Sequence, residues 1–175
     1  MADILQEEWM KGVAITTTIL AVLTAIASSR AGFCVAKNQV LTALEASKWS
    51  YYQAKSIKQN LLESQLSSFE VANLGATTPD QKSLLEKKIK AYNDDIVRYN
   101  DEKNVIKQDA EKVGKDNALI NRRGNIFSMS VVFFQIGIML SSVSALLKRK
   151  EMWAAGLIFG VIAIVLLGNG VFLFF

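Results

Sequence analysis

Three long stretches without a single charged residue constrain the fold of this chain more than any other feature. They cover residues 12–29, 124–147 and 152–175. A helix needs about 20 predominantly apolar residues to cross the ~30 Å hydrocarbon layer of a bilayer. The sequence therefore predicts an all-α membrane protein, with a lipid bilayer as its surroundings and with transmembrane helices at 12–29, 124–147 and 153–175.

The charged residues are concentrated in the segment between the first two stretches. Residues 30–123 contain 16 Lys and Arg against 12 Asp and Glu, with both signs interleaved. Because the basic residues form no patch or stripe, the composition argues against a nucleic-acid-binding protein. We expect a short tail at 1–11, an extramembrane helical segment at 30–123, and a basic loop at 148–152 between the last two spans.

The most regular pattern in the chain is a series of mostly apolar positions along residues 85–120. Its steps alternate between four and three residues without a break, as in the a/d seam of a coiled coil. The eleven seam positions are Leu85, Ile89, Tyr92, Ile96, Tyr99, Lys103, Ile106, Ala110, Val113, Asn117 and Ile120. Two of them are strongly polar, and we expect Lys103 to extend its ammonium group to the surface, while Asn117 could fix the helix register.

A turn is predicted at 74–78. Thr78 and Gln81 have the spacing of a capping box, and Pro79 suits the first turn of a helix. Gly75 is available for a left-handed cap on the preceding helix. The arms on either side, 30–74 and 79–123, have equal lengths, as an antiparallel helical hairpin requires. We expect such a coiled-coil hairpin to project from the membrane, with its seam filled by its own first arm or by another subunit.

Equal arm lengths also predict which residues of the two arms lie at the same height. Trp49, Tyr51 and Tyr52 on the first arm should lie opposite residues 99–106 on the second arm. We expect an aromatic cluster there, either as ordinary packing between the arms or partly exposed as a docking site.

Small residues at helical spacing predict close helix packing within the membrane. Thr17, Ala21 and Ala25 follow one another at intervals of four, and Gly156 and Gly160 form a GxxxG motif. In lipid, small side chains let helix backbones approach closely. No Asp, Glu, Lys or Arg lies inside a predicted span, which argues against an ion-coupled transporter.

The residue types that most enzymes need are missing or isolated. The chain has no histidine and a single cysteine, Cys34, which we expect to be a small buried hydrophobe. No P-loop or GxSxG motif is present. The carboxylate pairs at 94–95 and 101–102 lie on a long helix without a cleft, where solvated charge is the simpler interpretation. We therefore expect a non-enzymatic protein, with no catalytic residue, cofactor, metal or small-molecule substrate.

One motif is specific enough to suggest a family. Within residues 45–63, Trp49, Tyr52, Gln53 and Lys55 have a distinctive spacing. With one span, a charged arm and two spans joined by a basic link, the whole chain resembles a bacterial membrane-protein family, the domain of unknown function numbered 4337. The resemblance implies a location in the bacterial cytoplasmic (inner) membrane. It supplies no catalytic residues, but it points to these four residues as a candidate interaction surface.

The charges around the spans give opposing indications of orientation. The short basic link at 148–150 favours that link inside the cell and the hairpin outside, in the periplasm. Arg30 and Lys37, together with the pair at 122–123, favour the hairpin inside. We prefer the first arrangement, because long loops cross membranes with less regard to their charge.

Two functions fit these observations. The first is a structural, scaffold or accessory subunit that acts through the hairpin, as a homo-oligomer or with other membrane-protein subunits. The alternative is a subunit of a passive pore or transport complex. Its lining would be the threonine-rich first span, with Thr16, Thr17, Thr18 and Thr24. Threonine hydroxyls can also bond to carbonyls of their own helix, which requires no pore.

Overall fold

The described residues of the computed structural model form three long α-helices. The structure describes the backbone of residues 2–173 and the side chains of residues 9–173. Helix α1 spans Ala2–Leu74, α2 spans Pro79–Leu147 and α3 spans Lys150–Phe172. Each helix contains a stretch long and apolar enough to cross a membrane, and at most 28% of the residues in each stretch are buried. Most residues of these stretches are thus not buried within the chain.

The turn between α1 and α2 shows how local chemistry ends one helix and begins the next. The N–H of Gln81 donates to the hydroxyl oxygen of Thr78 at 3.4 Å, and Asp80 lies at the positive end of the α2 dipole. The end of α1 differs from the sequence prediction: within residues 2–173 no glycine has a positive φ, Gly75 included. Its N–H donates instead to the carbonyl of Ala72 at 3.2 Å, which tightens the last turn.

The chain forms two compact units, and the first comprises residues 1–39 and 117–175. Its α2 and α3 segments run in opposite directions. The hydroxyl of Ser130 donates to the carbonyl of Ala163 at 2.9 Å, and Phe127 packs against Gly170 further along. The buried centre of this unit consists of Leu20, Ala27, Phe134 and Ala163.

The second unit comprises residues 40–116. Lys48 on α1 forms an ion pair with Asp109 on α2 at 2.8 Å, and the rings of Phe69 and Tyr92 meet with centroids 5.2 Å apart. The residue number rises along α1 from one contact to the next, while the partner number falls along α2. This is the order of contacts in an antiparallel pair.

Burial along the second unit follows the alternating four-three steps on both helices. Each α2 seam position from Leu85 to Val113 is buried or half-buried. Helix α1 has a matching half-buried series that the sequence did not reveal, because half of its members are strongly polar. We call this series the inner seam of α1: Leu41, Glu45, Lys48, Tyr52, Lys55, Gln59, Leu62, Leu66, Phe69 and Asn73.

Candidate interaction sites

The four residues of the predicted interaction surface lie on α1 in the second unit, but they do not share one face. Trp49, Tyr52 and Lys55 are half-buried, whereas Gln53 is exposed. The rings of Trp49 and Tyr52 meet edge to face with centroids 5.6 Å apart. Tyr52 and Lys55 belong to the inner seam and contact α2. Only part of the predicted set is therefore available to a partner.

Lys55 is the centre of the contacts between the two helices. Its ammonium group forms a hydrogen-bonded ion pair with Glu102. The same nitrogen lies 4.9 Å from the ring centroid of Tyr99 and 5.6 Å from that of Tyr51. In the predicted aromatic cluster, the ammonium group of Lys55 thus lies close to one ring from each helix, which is a favourable cation–π arrangement.

The ion pair stabilises the charged form of both partners. The hydrogen bond to Glu102 raises the pKa of Lys55 above its ordinary value. The hydrogen bond from Lys55 lowers the pKa of Glu102. Neither group is therefore suited to exchange protons near neutral pH.

The other inward-facing lysines also have partners. The Nζ atom of Lys103 lies 5.3 Å from the ring centroid of Tyr52 and donates to the side-chain oxygen of Gln59 at 3.1 Å. Lys103 is half-buried. Its ammonium group contacts α1, while part of the side chain remains accessible to water. The hydrogen bond from Lys48 lowers the pKa of Asp109. These pairs explain how a seam with several charges can pack.

A shallow cavity of about 380 Å³ lies beside the Lys55 ion pair. It is lined by Tyr51, Lys55, Glu102, Val105 and Ile106. Its cation and carboxylate form an ion pair with each other. Within residues 9–173, no group of three or more Asp, Glu or Cys side chains could hold a metal ion.

In the first unit, the predicted glycine pair lies at helix contacts. Gly156 and Gly160 are buried. A Cβ on Gly156 would lie 2.8 Å from the hydroxyl oxygen of Ser141, and a Cβ on Gly160 would lie 2.9 Å from Leu20. Both glycines therefore let α3 approach a neighbouring helix of the same chain.

The predicted stripe on α1 has a different environment. Thr17 is half-buried, whereas Ala21 and Ala25 are exposed. The buried face of α1 in this unit instead contains Val13, Leu20, Ala27, Ala31 and Cys34. Ala21 lines an open cavity with Ser142 and Ala145 of α2, so this stripe is not tightly packed against another helix as the sequence predicted.

Sequence reasoning missed a line of small buried residues on α2, one of which, Gly137, meets Gly156 of α3. Ser130, Gly137 and Ser144 are buried, and a Cβ on Gly137 would lie 3.0 Å from the carbonyl oxygen of Gly156. These three small residues recur at intervals of seven, which is the signal that could have revealed them. Their spacing is too wide for a search limited to GxxxG.

These contacts define a helical protein with three helices apolar enough to cross a membrane, together with a unit held by ion pairs between two antiparallel helices. The chain belongs to the family described as Domain of unknown function (DUF4337), whose model matches residues 9–173. This match confirms the domain of unknown function that the sequence resembles. Comparisons with curated proteins and with solved structures give no match.

Proposed function

We propose that this chain is a non-enzymatic, multi-pass protein of the bacterial cytoplasmic membrane that serves as a structural or accessory subunit and self-associates. Its second unit serves as an antiparallel coiled-coil hairpin, and the outward side of this hairpin is the assembly surface. The observation that carries the proposal is a long exposed face of α1 without charge.

We call this surface the uncharged face. Its positions step by three and four residues, as a coiled-coil seam does, and all ten are exposed. They are Val40, Ala43, Ser47, Ser50, Ala54, Ile57, Leu61, Ser64, Ser68 and Val71. The face lies on the side of α1 opposite the inner seam, so α1 has two seams and α2 covers one of them.

The composition of the uncharged face differs from that of the rest of the unit. Val40 and Val71 are each 67% exposed and Ile57 is 68% exposed. By contrast, most exposed residues of α2 between positions 80 and 116 are charged. Six of the ten residues are apolar and four are serine, and an exposed apolar patch bounded by polar residues is typical of a protein–protein contact. The small residues between 43 and 54 would allow another helix to approach closely.

A second copy of the chain is the partner that best fits this face. Copies inserted in a membrane with one topology carry α1 in the same direction, so two copies related by a twofold axis pair α1 in parallel. In an isologous contact each residue near the axis meets its own counterpart. A charge there would repel itself, and the ten positions contain none.

Disulfide cross-linking of the full-length protein in membranes tests this arrangement. In a Cys34→Ser background, Ser47→Cys and Ser50→Cys are expected to form homodimers, because a disulfide requires Cα atoms about 4.4–6.8 Å apart. The matched control is Asn104→Cys, an exposed position on α2. Cross-linking equal to that of the control would indicate random collision and contradict the parallel pair.

A charge substitution provides an independent readout. Ser50→Glu would place two carboxylates opposite each other, whereas Asn104→Glu adds the same charge elsewhere. Native mass spectrometry of gently extracted protein should show loss of the oligomer in the first variant only. Unchanged copy number in Ser50→Glu would refute self-association through this face. A stoichiometric complex with a different membrane protein would instead identify an accessory subunit.

The pore alternative rests on the threonines of the first span. The hydroxyls of Thr16, Thr17, Thr18 and Thr24 each donate to a carbonyl of α1 at 2.7–3.0 Å. The donor of each hydroxyl is thus used within α1, so these threonines do not require water in a channel to satisfy it.

The orientation remains part of the proposal, with the hairpin in the periplasm. Thr77 lies in the exposed connection between α1 and α2, so Thr77→Cys in the Cys34→Ser background places a thiol at the tip of the hairpin. A membrane-impermeant maleimide added to intact cells with a permeabilised outer membrane should label it. Protection until the inner membrane is broken would place the hairpin in the cytoplasm.

A further inference from the structure

An open pocket with a basic wall lies in the first unit, where the uncharged stretches of the sequence end. Its volume is about 300 Å³, at the lower end of the range for ligand sites, ~300–1,000 Å³. Arg30 and Lys37 from α1 and Arg123 from α2 line it. The pocket floor is apolar and includes the buried residues Cys34, Ile120 and Phe127.

The basic side chains of this pocket have no carboxylate partner among residues 9–173. Within residues 9–173, none of the three basic side chains forms an ion pair or a hydrogen bond. The sequence contains no Asp or Glu in residues 12–39 or 117–147. The Nε atom of Arg123 is buried without an acceptor. A buried donor without a partner is costly, so the pocket favours a ligand that supplies oxygen acceptors.

We propose that this pocket binds the phosphate group of an anionic glycerophospholipid. The inference rests on the membrane insertion proposed above. Guanidinium groups bind phosphate oxygens through paired hydrogen bonds, and basic pockets between helices at a membrane border bind acidic head groups. A free phosphate ion offers the same chemistry, because it is also an anion with several oxygen atoms that accept hydrogen bonds.

The apolar surroundings favour the lipid as the source of that phosphate. Phe33 from α1 also lines the pocket and is 63% exposed, and Val171 from α3 is exposed beside it. Acyl chains can pack on such surface while the head group occupies the pocket. A free phosphate ion would gain nothing from these side chains.

Lipid binding to the full-length protein can be measured by native mass spectrometry, with phosphatidylglycerol or phosphatidylcholine added to the detergent. Arg30→Gln with Arg123→Gln should weaken phosphatidylglycerol binding about thirtyfold, because each basic residue contributes ~1 kcal/mol near an anionic head group and 1.4 kcal/mol is tenfold. Arg122→Gln is the matched control. It removes the same charge from an exposed neighbour that does not line the pocket.

A second variant guards against misfolding of the double mutant. Lys37 is exposed, so Lys37→Gln leaves the packing intact and should weaken binding about fivefold, by loss of one basic residue. Equal losses in Lys37→Gln and Arg122→Gln would show diffuse attraction and overturn the site. Equal binding of phosphatidylglycerol and phosphatidylcholine would also overturn the site. Displacement by inorganic phosphate at the same concentration would assign the pocket to the free ion.

Membrane insertion is scored separately, as recovery of each variant in the membrane fraction. A protein that inserts normally but shows no lipid selectivity contradicts the pocket proposal alone. A protein that never enters the membrane fraction contradicts the proposed function as well.

Discussion

The carbonyl oxygen of Gly137 lies 2.9 Å from the position that a Cβ would take on Gly156, so α2 and α3 touch there through their backbones. The hydroxyl oxygen of Ser141 lies 2.8 Å from the same position. A methyl group on Gly156 would therefore meet backbone on one side and a buried side chain on the other. The Gly137 carbonyl belongs to the backbone, so it cannot turn away as the end of a long side chain can.

Gly156→Ala is expected to lower the free energy of unfolding by about 1–3 kcal/mol, the usual cost of overpacking. The matched control is Gly168→Ala on the same helix, where a Cβ would have nothing within 4 Å. It should be neutral or slightly stabilising, because alanine favours a helix over glycine by about 1 kcal/mol. Unfolding of the full chain in mixed micelles, followed by circular dichroism, measures both. Equal losses would refute a tight contact at Gly156.

The helix contacts in the first unit could be predicted only in part. The GxxxG of α3 is visible in the sequence because glycine at that spacing has few other uses in an apolar helix. Its partner surface on α2 is not, since serine is common in membrane helices for other reasons. Ser142, for example, donates to the carbonyl of Ile138 on its own helix, whereas Ser130 donates across to α3.

The seam of α2 predicts a large difference between two adjacent residues. Ile106 is 9% exposed, whereas Val105 is 62% exposed. Ile106→Ala should destabilise the second unit by about 2–5 kcal/mol, as other large-to-small core substitutions do. Val105→Ala should cost less than about 0.5 kcal/mol. Hydrogen exchange of amides in residues 80–116 distinguishes them, since only the first variant should lose protection by tenfold or more. Similar protection in both variants would show that the seam is not packed.

The two helices of the second unit were not equally predictable. The α2 seam is visible because nine of its eleven positions are apolar or aromatic. The inner seam of α1 contains Lys48 and Lys55, which a hydrophobic pattern excludes. These lysines can lie inward because each has a carboxylate partner on α2, and such a partner is known only once the helices are paired. Apolar residues alone do not mark the inner side of α1, since Ile57 and Leu61 are exposed.

The Lys55–Glu102 pair predicts that acid destabilises the second unit. The pKa of Glu102 is lowered in the folded chain, so its contribution is present above its ordinary pKa of 4.5 and is lost as the pH falls through the lower folded-state value. The lowered pKa of Asp109 acts in the same direction. The raised pKa of Lys55 gives a contribution that is complete at neutral pH and lost only at alkaline pH. The unit should therefore be more stable at neutral pH than in acid.

A comparison of two carboxylate variants measures this effect. Glu102→Gln should make the stability of the second unit less dependent on pH below about 5, because it removes one titrating group. Asp101→Asn, at an exposed neighbour without an ion pair in residues 9–173, should leave the dependence unchanged. Hydrogen exchange at several pH values, corrected for intrinsic rates, provides the comparison. A steeper dependence in Glu102→Gln would contradict the lowered pKa.

The side-chain amides of Asn38 and Asn117 couple α1 to α2 within the first unit. The Nδ2 group of Asn38 donates to the Oδ1 atom of Asn117 at 2.9 Å. Substituting either residue by alanine leaves the other amide without this partner. The loss of unfolding free energy in the double variant should therefore be smaller than the sum of the losses in the two single variants. A coupling of about 0.5–1.5 kcal/mol is expected for one hydrogen bond. Unfolding of the three variants in mixed micelles measures this coupling, with Asn121→Ala as an exposed control. Strict additivity would show that the contact does not fix the register of the two helices.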